Sequence, residues 1–598
     1  MKQVCNAILA AVLMTGPAAA WAAAPAASQQ ASALAPEQQV DALFAKWNKP
    51  DTPGCAVTVI RDGKVLLRKG YGMADIERAV PVSPATVFNV GSMSKQFTAF
   101  SIYLLAKDGK LSLDDDVHKY LPEVPDFGKT ITLRHLLQHT SGLRDAMNLM
   151  VLAGWRLDDV MTMDDMLGII RRQRALNFAP GQEYMYSNTG YTLLAAIVQR
   201  VSGKPLAVFA KERIFDPLGM THTAFQKDYG TLVPRRALSY QAAPDGSFKY
   251  LAVGESTAGP GGLLTTVEDL ALWDANFYDG RVGGKDLLAQ MQVTGVLNNG
   301  KPIQYASGLM VENYRGARLV EHSGGIGGYA SQMSRFPEQH FTVAVLANTP
   351  GVSPTVMARR IADIYLGAEL APKAAPADSA MPAEIALDPA RLDAFLGYYA
   401  LSPTFGVTFT KEDGHLVGQG TGQAKGQLFA SGEREFFAKV VNARFSFEEP
   451  DKDGIVQGFV LHQNGRDIPG KRTAKPTAPP ASLKAYAGEY YNDELHVLYT
   501  VFEQDGKLMV AHPRTTIKLD YVGKDAFVSD FFGTEIRYQC SPDAGCTGFT
   551  LNFPRARNLQ FSKVAIVAPG ARAAADTGIF LEPDSTAVAK AGKASPAS

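Results

Sequence analysis

Cysteine is scarce, with four residues in a chain of 598. Cys5 lies in the N-terminal stretch, and Cys55 stands in an apolar, strand-like run. Only Cys540 and Cys546 flank a turn composition, Ser541-Pro542-Asp543-Ala544-Gly545. That usage excludes a disulfide framework and a paired-cysteine metal site. It fits one hairpin disulfide, Cys540 to Cys546, formed in an oxidising compartment, while Cys55 is expected to be a buried, inert thiol. Net charge is missing too. Lys+Arg and Asp+Glu each total 59, so nothing draws the chain to nucleic acid or an anionic membrane. The short basic run Arg171-Arg172-Gln173-Arg174 reads as a solvated helix face. No His-Glu-x-x-His pair and no glycine-rich phosphate loop is found, and no metal or cofactor is implied. Gly254-Glu255-Ser256-Thr257-Ala258 nears the nucleophile elbow without the strand-to-helix flanks that motif needs.

Long apolar runs are also absent. The stretch Ile8 to Leu13 is too short to span a membrane. With Lys2 before it and the small residues Ala18 to Ala24 after it, the stretch reads as a secretory signal over 1–24, cut after Ala22 or Ala24. The mature protein is therefore expected to be periplasmic or secreted, with no membrane span. Its oligomeric state is not readable.

What is present is ordinary globular composition, 46% hydrophobic and 20% charged, at a length that predicts roughly two to four domains. Residues 25–34 are Ala/Gln/Ser-rich. Pro36 to Trp47 reads as a helix with Val40, Leu43, Phe44 and Trp47 on one stripe. Cys55 to Ile60 and Val65 to Lys69 read as a hairpin around Arg61-Asp62-Gly63-Lys64. A helix is expected from Ser92 to Lys107, another from Thr132 to His139, and a strongly apolar one from Thr189 to Val201 before Gly203. Strands return at Arg318 to Glu321, Tyr329 to Phe336 and Phe341 to Ala347, and a helix over Ser353 to Leu366 closes the unit. Strands at both ends with helices between them predict an α+β domain over 35–367. It would hold one antiparallel sheet, terminal helices on one face and a helical region on the other.

Residues 368–386 read as an Ala/Pro linker, and Lys475 to Pro480 as a second. Between and beyond them lie two modules, 387–473 and 481–567, that look like repeats. Leu392-Asp393-Ala394-Phe395-Leu396-Gly397-Tyr398-Tyr399 parallels Leu483-Lys484-Ala485-Tyr486-Ala487-Gly488-Glu489-Tyr490. Lys411-Glu412-Asp413-Gly414-His415-Leu416 parallels Glu503-Gln504-Asp505-Gly506-Lys507-Leu508. Each is long enough for a small closed antiparallel β-barrel. Residues 568–598 read as an unstructured tail.

Three short stretches carry chemistry. Ser92-Met93-Ser94-Lys95 puts an amine three residues from a hydroxyl, on one helix face. A serine needs such a base to become a nucleophile, and a helix N-terminus favours the oxyanion that follows. Alone, such a pair is far more often solvated helix surface. Tyr186-Ser187-Asn188 offers a phenol for proton transfer and an amide for substrate and Lys95; alone, it is a turn and an N-cap. His322-Ser323-Gly324-Gly325, at a strand end, lets a substrate backbone lie alongside, and the Gly325 N–H can join that of Ser92 as an oxyanion hole. Alone, it is a glycine-rich hairpin over Gly324 to Gly328. A second Tyr-x-Asn, Tyr490-Tyr491-Asn492, lies in the last module and reads as chance.

The three together, in this order, resemble the serine β-lactamase and penicillin-binding-protein superfamily. The likeness is to the branch of class C β-lactamases, D-alanyl-D-alanine carboxypeptidase, D-aminopeptidase and related esterases. His139-Thr140-Ser141-Gly142-Leu143, Pro180-Gly181, Tyr186 to Tyr191, Pro217-Leu218-Gly219-Met220 and Gly261-Gly262-Leu263 extend the match over 35–367. The resemblance implies Ser92 as acylated nucleophile, with Lys95 and Tyr186 as the proton-transfer pair. It implies Asn188 in substrate binding, with His322, Ser323, Gly324 and Gly325 lining the substrate strand. The modules resemble the lipocalin-like barrels of D-aminopeptidases. One departure stands out: His322-Ser323-Gly324 replaces Lys-Thr-Gly. Histidine, with an ordinary pKa near 6.5, gives only partial charge at pH 7. That tilts the expected substrates toward small peptides, amides or esters without a carboxylate to anchor. The alternatives are a penicillin-binding sensor that acylates without turnover and a β-lactamase.

Overall fold

The computed structural model describes residues 34–564 apart from 157, 227, 373–381, 403–404, 422–424, 440–442, 464–465, 475–481, 524, 530 and 542–544. The expected signal segment, the 568–598 tail and much of both linkers lie outside these residues.

The first helix, α1 (Pro36–Phe44), starts on a proline that needs no N–H partner. It stops three residues before Trp47, whose N–H turns back to Phe44 O at 2.9 Å. The central sheet contains β1 (Cys55–Arg61), β2 (Lys64–Tyr71), β3 (Met310–Tyr314), β4 (Ala317–Ile326), β5 (Tyr329–Phe336) and β6 (Phe341–Ala347). Their order is β3-β4-β5-β6-β1-β2, antiparallel throughout. Alternation along the strands sorts the two faces. Val57, Val59, Val343 and Val345 pack with Val40 and Phe44 of α1 and with Ile361 of the closing helix Pro354–Leu366. Ala56, Ala344 and Leu346 face the helical layer. That layer is built on α2 (Lys95–Lys107) and α3 (Asn188–Ser202).

Two elements differ from the sequence expectation. The serine helix does not begin at Ser92. A 3₁₀ turn over Gly91–Ser94 precedes α2, and its three-residue period stacks positions i and i+3 more directly than an α-helix does. β4 runs on through Ile326 instead of stopping at Glu321, so His322 to Gly325 are strand residues paired with Met333 to Ala330.

Both C-terminal modules are closed antiparallel barrels of eight strands, with strands from Gly397 to Thr473 and from Gly488 to Val564. They repeat in detail. Tyr399 OH donates to Phe395 O, and Tyr490 OH donates to Tyr486 O, four residues back in each case. Asp413-Gly414 and Asp505-Gly506 both take positive φ, as a tight hairpin requires. Cys540 and Cys546 are disulfide-bonded across a strand pair of the second barrel.

The first barrel keeps a separate core around Phe409, Phe447 and Phe459. The core of the second is continuous with the helical layer of the first domain. Tyr499 OH donates to Leu152 O at 2.7 Å, and Arg514 Nε to Gly154 O at 2.9 Å. The fully buried Arg144 binds Glu494 of the barrel at 2.5 Å.

Candidate active site

The 3₁₀ turn is pressed against β4, and glycine makes the approach possible. A Cβ on Gly324 would lie 1.9 Å from Val90 O, and one on Gly91 (φ +49) would lie 2.7 Å from Gly325 N. Ser331 Oγ of β5 donates to Val90 O at 2.8 Å. Ser94 Oγ ties the turn to itself and to the next layer, bonding Gly91 O at 2.5 Å and Leu263 N at 3.1 Å. The nucleophile candidate is thereby held beside the Gly325 backbone.

Lys95 is fully buried. Its Nζ reaches Ser92 Oγ at 3.0 Å, Asn188 Oδ1 at 2.9 Å and Pro260 O at 2.8 Å. All three are uncharged oxygens. Thr98 Oγ1 donates to Gly259 O at 2.8 Å, fixing the segment that presents Pro260. Tyr186 hydrogen-bonds Ser92, and its ring centroid lies 4.8 Å from Lys95 Nζ. Burial raises the Tyr186 phenol above its ordinary value; the Ser92 bond and the charge of Arg555 pull the other way. The resting phenol is therefore protonated at neutral pH.

Asn188 is not the cap of α3 but its first residue, and Ser187 makes no side-chain cap bond. The work of a cap falls to Asp145, whose carboxylate accepts the Asn188 N–H at 2.5 Å and the Asn148 N–H at 3.0 Å.

His322 does not reach into the cleft as a partial charge. It is buried, accepts from Tyr305 OH at 2.9 Å through Nε2, and donates to Ser323 O at 2.6 Å through Nδ1. Burial, helped by the charge of Lys95, lowers its pKa to about 3, so it is neutral at pH 7. Behind it, His139 is held neutral by the same causes. Its ring lies 4.2 Å from that of Tyr186 and 4.4 Å from that of Tyr305. The lysine of Lys-Thr-Gly is thus replaced by an uncharged, internally bonded imidazole.

Thus Ser92, Lys95, Tyr186 and Asn188 come together, with Ser323, Gly324 and Gly325 on the adjoining strand and His322 behind it. Tyr490 and Asn492 lie in the second barrel, where they bond Tyr486 O and Gln560 O. Ser256 sits in a two-residue strand and accepts from Tyr229 N. Sequence reasoning missed Pro260, Asp145, Tyr305 and Arg555. The last is the least expected: it stands at the turn between β7 (Gly545–Phe553) and β8 (Ala556–Val564) of the second barrel. Its guanidinium lies 4.8 Å from the Tyr186 ring centroid. Among the described residues no group of three or more His, Cys, Asp or Glu side chains is arranged to hold a metal. None of the described helices alone is long and apolar enough to cross a membrane.

A half-buried serine bonded to a buried lysine and a phenol, at a seam between antiparallel sheet and helical layer, has the layout of an acyl-transferring serine hydrolase. The profile of the family described as Beta-lactamase matches residues 38–366, more than half of the chain, and the chain belongs to that family of serine hydrolases. Penicillin-binding protein 4* of Bacillus subtilis (strain 168) is 29% identical over 434 residues, spanning 70% of this chain and 94% of that protein. The D-aminopeptidase of Gluconobacter oxydans (strain 621H) is 28% identical over 326 residues, spanning 54% of this chain and 61% of the aminopeptidase. The match to the aminopeptidase thus stops short of two thirds of its length. The octameric penicillin-binding protein homologue from Pyrococcus abyssi shares the fold, with a TM-score of 0.52 at 24% identity over 80% of this chain and 98% of that one.

Proposed function

We propose that the protein is an exported hydrolase that cleaves small amides, peptides (D-amino-acid peptides among them) or esters through an acyl-enzyme on Ser92. The observation that carries this reading is the convergence of Lys95 Nζ and the Tyr186 phenol on Ser92 Oγ. In the form that reacts, Lys95 is a neutral amine: as Oγ bonds the substrate carbonyl carbon, its proton passes to the Nζ lone pair, while the two N–H groups of Lys95 have Asn188 Oδ1 and Pro260 O as acceptors. The carbonyl oxygen becomes an oxyanion facing the Ser92 and Gly325 N–H groups. As the tetrahedral intermediate collapses, the bond to the leaving amine or alcohol breaks and Tyr186 donates its proton to it. Water then attacks the Ser92 ester: the Tyr186 phenolate takes the water's proton, and as the acyl–Oγ bond breaks the Lys95 ammonium returns its proton to Ser92 Oγ. Export is supported by the Cys540–Cys546 disulfide, a bond that persists in oxidising compartments.

The test is labelling by a fluorophosphonate, read by intact mass. Wild type gains one equivalent on Ser92, and Ser92→Ala gains none; a labelled Ser92→Ala protein would overturn the assignment. A burst of one equivalent of product from aminoacyl amides or nitrocefin, with no further release, would mark a sensor instead of a turning-over enzyme.

A further inference from the structure

The second barrel does more than cover the helical layer. Its β7–β8 turn is pinned into the catalytic cleft by the backbone of Arg555. The Arg555 carbonyl accepts from Asp145 N at 3.0 Å and Asn177 Nδ2 at 3.1 Å. Its N–H donates to Asn148 Oδ1 at 3.1 Å, and Arg557, the second residue of β8, donates its N–H to Asn177 Oδ1 at 2.7 Å. Both arginines belong to this hairpin, but their side chains end differently. Arg557 pairs with Glu183 at 3.1 Å. Arg555 is a half-buried residue with its guanidinium over the Tyr186 ring, and among the described residues no carboxylate pairs with it. The acid in its neighbourhood, Asp145, already accepts two backbone N–H groups.

A half-buried arginine without an anion is a poor stabilising device, because it loses hydration and gains no ion pair. It is a good receptor, since its donor fork matches a carboxylate. Its position says which part of a substrate would meet it. Tyr186 protonates the leaving group, so a cation packed on Tyr186 lies on the leaving-group side of the scissile bond. On that side the strand residue His322 offers no charge of its own.

We propose that Arg555, delivered by the second barrel, binds a carboxylate carried by the leaving group. The site then takes short peptides whose leaving amine is a carboxyl-terminal amino acid. This inference rests on the acyl-enzyme reading above and names its substrate class. It reverses the expectation drawn from His322: the positive charge absent from the strand is supplied by a different domain.

The experiment uses the full chain and the rate at which fluorophosphonate labels Ser92, slowed by a competing ligand. The ligands are alanyl-alanine in its D,D and L,L forms and the corresponding alanyl-alaninamides, which differ only in the terminal charge. In wild type, the better-bound free dipeptide protects Ser92 at a concentration about tenfold or more below its carboxamide, the size expected of a charge-assisted pair. In Arg555→Ala that ratio collapses to about one, and in Arg555→Lys part of it returns. Arg555→Gln, which keeps the length and polarity of the side chain, carries the same expectation as the alanine variant and guards against a disturbed turn. A wild-type ratio of one, or a ratio unchanged in both neutral variants, overturns the proposal. Wild type that takes no label on Ser92 overturns the acyl-enzyme reading itself, so the two failures are told apart.

Discussion

Set side by side, the two barrels repeat the same small devices: the tyrosine hydroxyl that bonds four residues back, the Asp-Gly hairpin, the closure of first strand on last. Yet the first packs around its own phenylalanines, while the second shares a core with the catalytic domain and places an arginine on the candidate proton donor. The difference lies in loops and surface, not in the barrel. Asn492-Asp493-Glu494, His512-Pro513-Arg514 and Pro554-Arg555-Ala556-Arg557 are turn or strand-end residues of the second module, and these, with Tyr499 from within a strand, meet the helical layer. One fold duplicated in a chain can thus keep a core of its own in one copy and reach the candidate active site in the other.

The largest expected effect comes from the ion pair that marks this difference. Arg144 is fully buried, and Glu494 nearly so, and the same Glu494 carboxylate also accepts the Arg174 N–H at 3.0 Å. Glu494→Gln leaves a buried guanidinium without its counter-charge, at a cost of about 3–5 kcal/mol. Thermal unfolding of the catalytic domain should show that loss, and labelling of Ser92 should slow as the barrel loosens. The exposed counterpart in the first barrel, Arg391 with Glu433, predicts no measurable change for Glu433→Gln. Equal effects of the two substitutions would erase the distinction between the barrels.

Glycines at the two barrels sharpen the contrast at a smaller scale. Gly154 (φ +96) sits where the helical layer meets the second barrel, and a Cβ there would come within 2.8 Å of Pro513 Cβ. Gly414 (φ +76) sits in a hairpin of the first barrel, where the nearest atom, Pro389 Cγ, is 3.9 Å away. Both alanine variants bear the strain of a left-handed residue, about 1 kcal/mol. Only Gly154→Ala must also push Pro513, which raises its expected cost to about 2 kcal/mol or more. Urea unfolding checks the order, and only Gly154→Ala should slow labelling of Ser92.

How much of this was legible in the sequence follows from the range of each interaction. The Ser92–Lys95 pair is local, and three-residue spacing is enough to place it. β6 was readable to the residue because it is an apolar run bounded by turns, and β5 because Gly327-Gly328 before it and Pro337 after it mark its ends. The continuation of β4 through Ser323-Gly324-Gly325 was not, since glycine lacks strand propensity; pairing with β5 and the approach of Gly91 override it. The charge of His322 was misjudged because an ordinary pKa describes an exposed imidazole, and only the fold puts Tyr305 on one side of it and Lys95 nearby. Arg555 carries no motif at all. Its role depends on a docking surface assembled from Arg144, Asn148, Asn177 and Gly154, hundreds of residues upstream, and no window of sequence contains both halves.

The smallest expected effect lies in the pH dependence of that docking. His512 of the second barrel is buried, and its Nε2–H faces Val151 O at 2.9 Å and Leu152 O at 3.1 Å. Burial lowers its folded pKa below the ordinary value; the two carbonyls oppose that but do not prevail. Below about pH 6.5 the unfolded chain therefore takes up a proton that the folded chain refuses. Stability is fully present above that pH and falls below it, by up to about 1.4 kcal/mol per pH unit for one such group until the folded value is reached. His139 and His322 titrate in the same sense inside the catalytic domain, so the whole chain should lose thermal stability between pH 7 and pH 5. His512→Gln keeps an N–H donor for the carbonyls and removes the titration, and melts at pH 7, 6 and 5 should show its slope shallower than that of wild type by one histidine's share. A slope identical to wild type would place the acid sensitivity with the other histidines whose pKa burial lowers, His135, His139 and His322, and leave the seam between barrel and helical layer indifferent to protons.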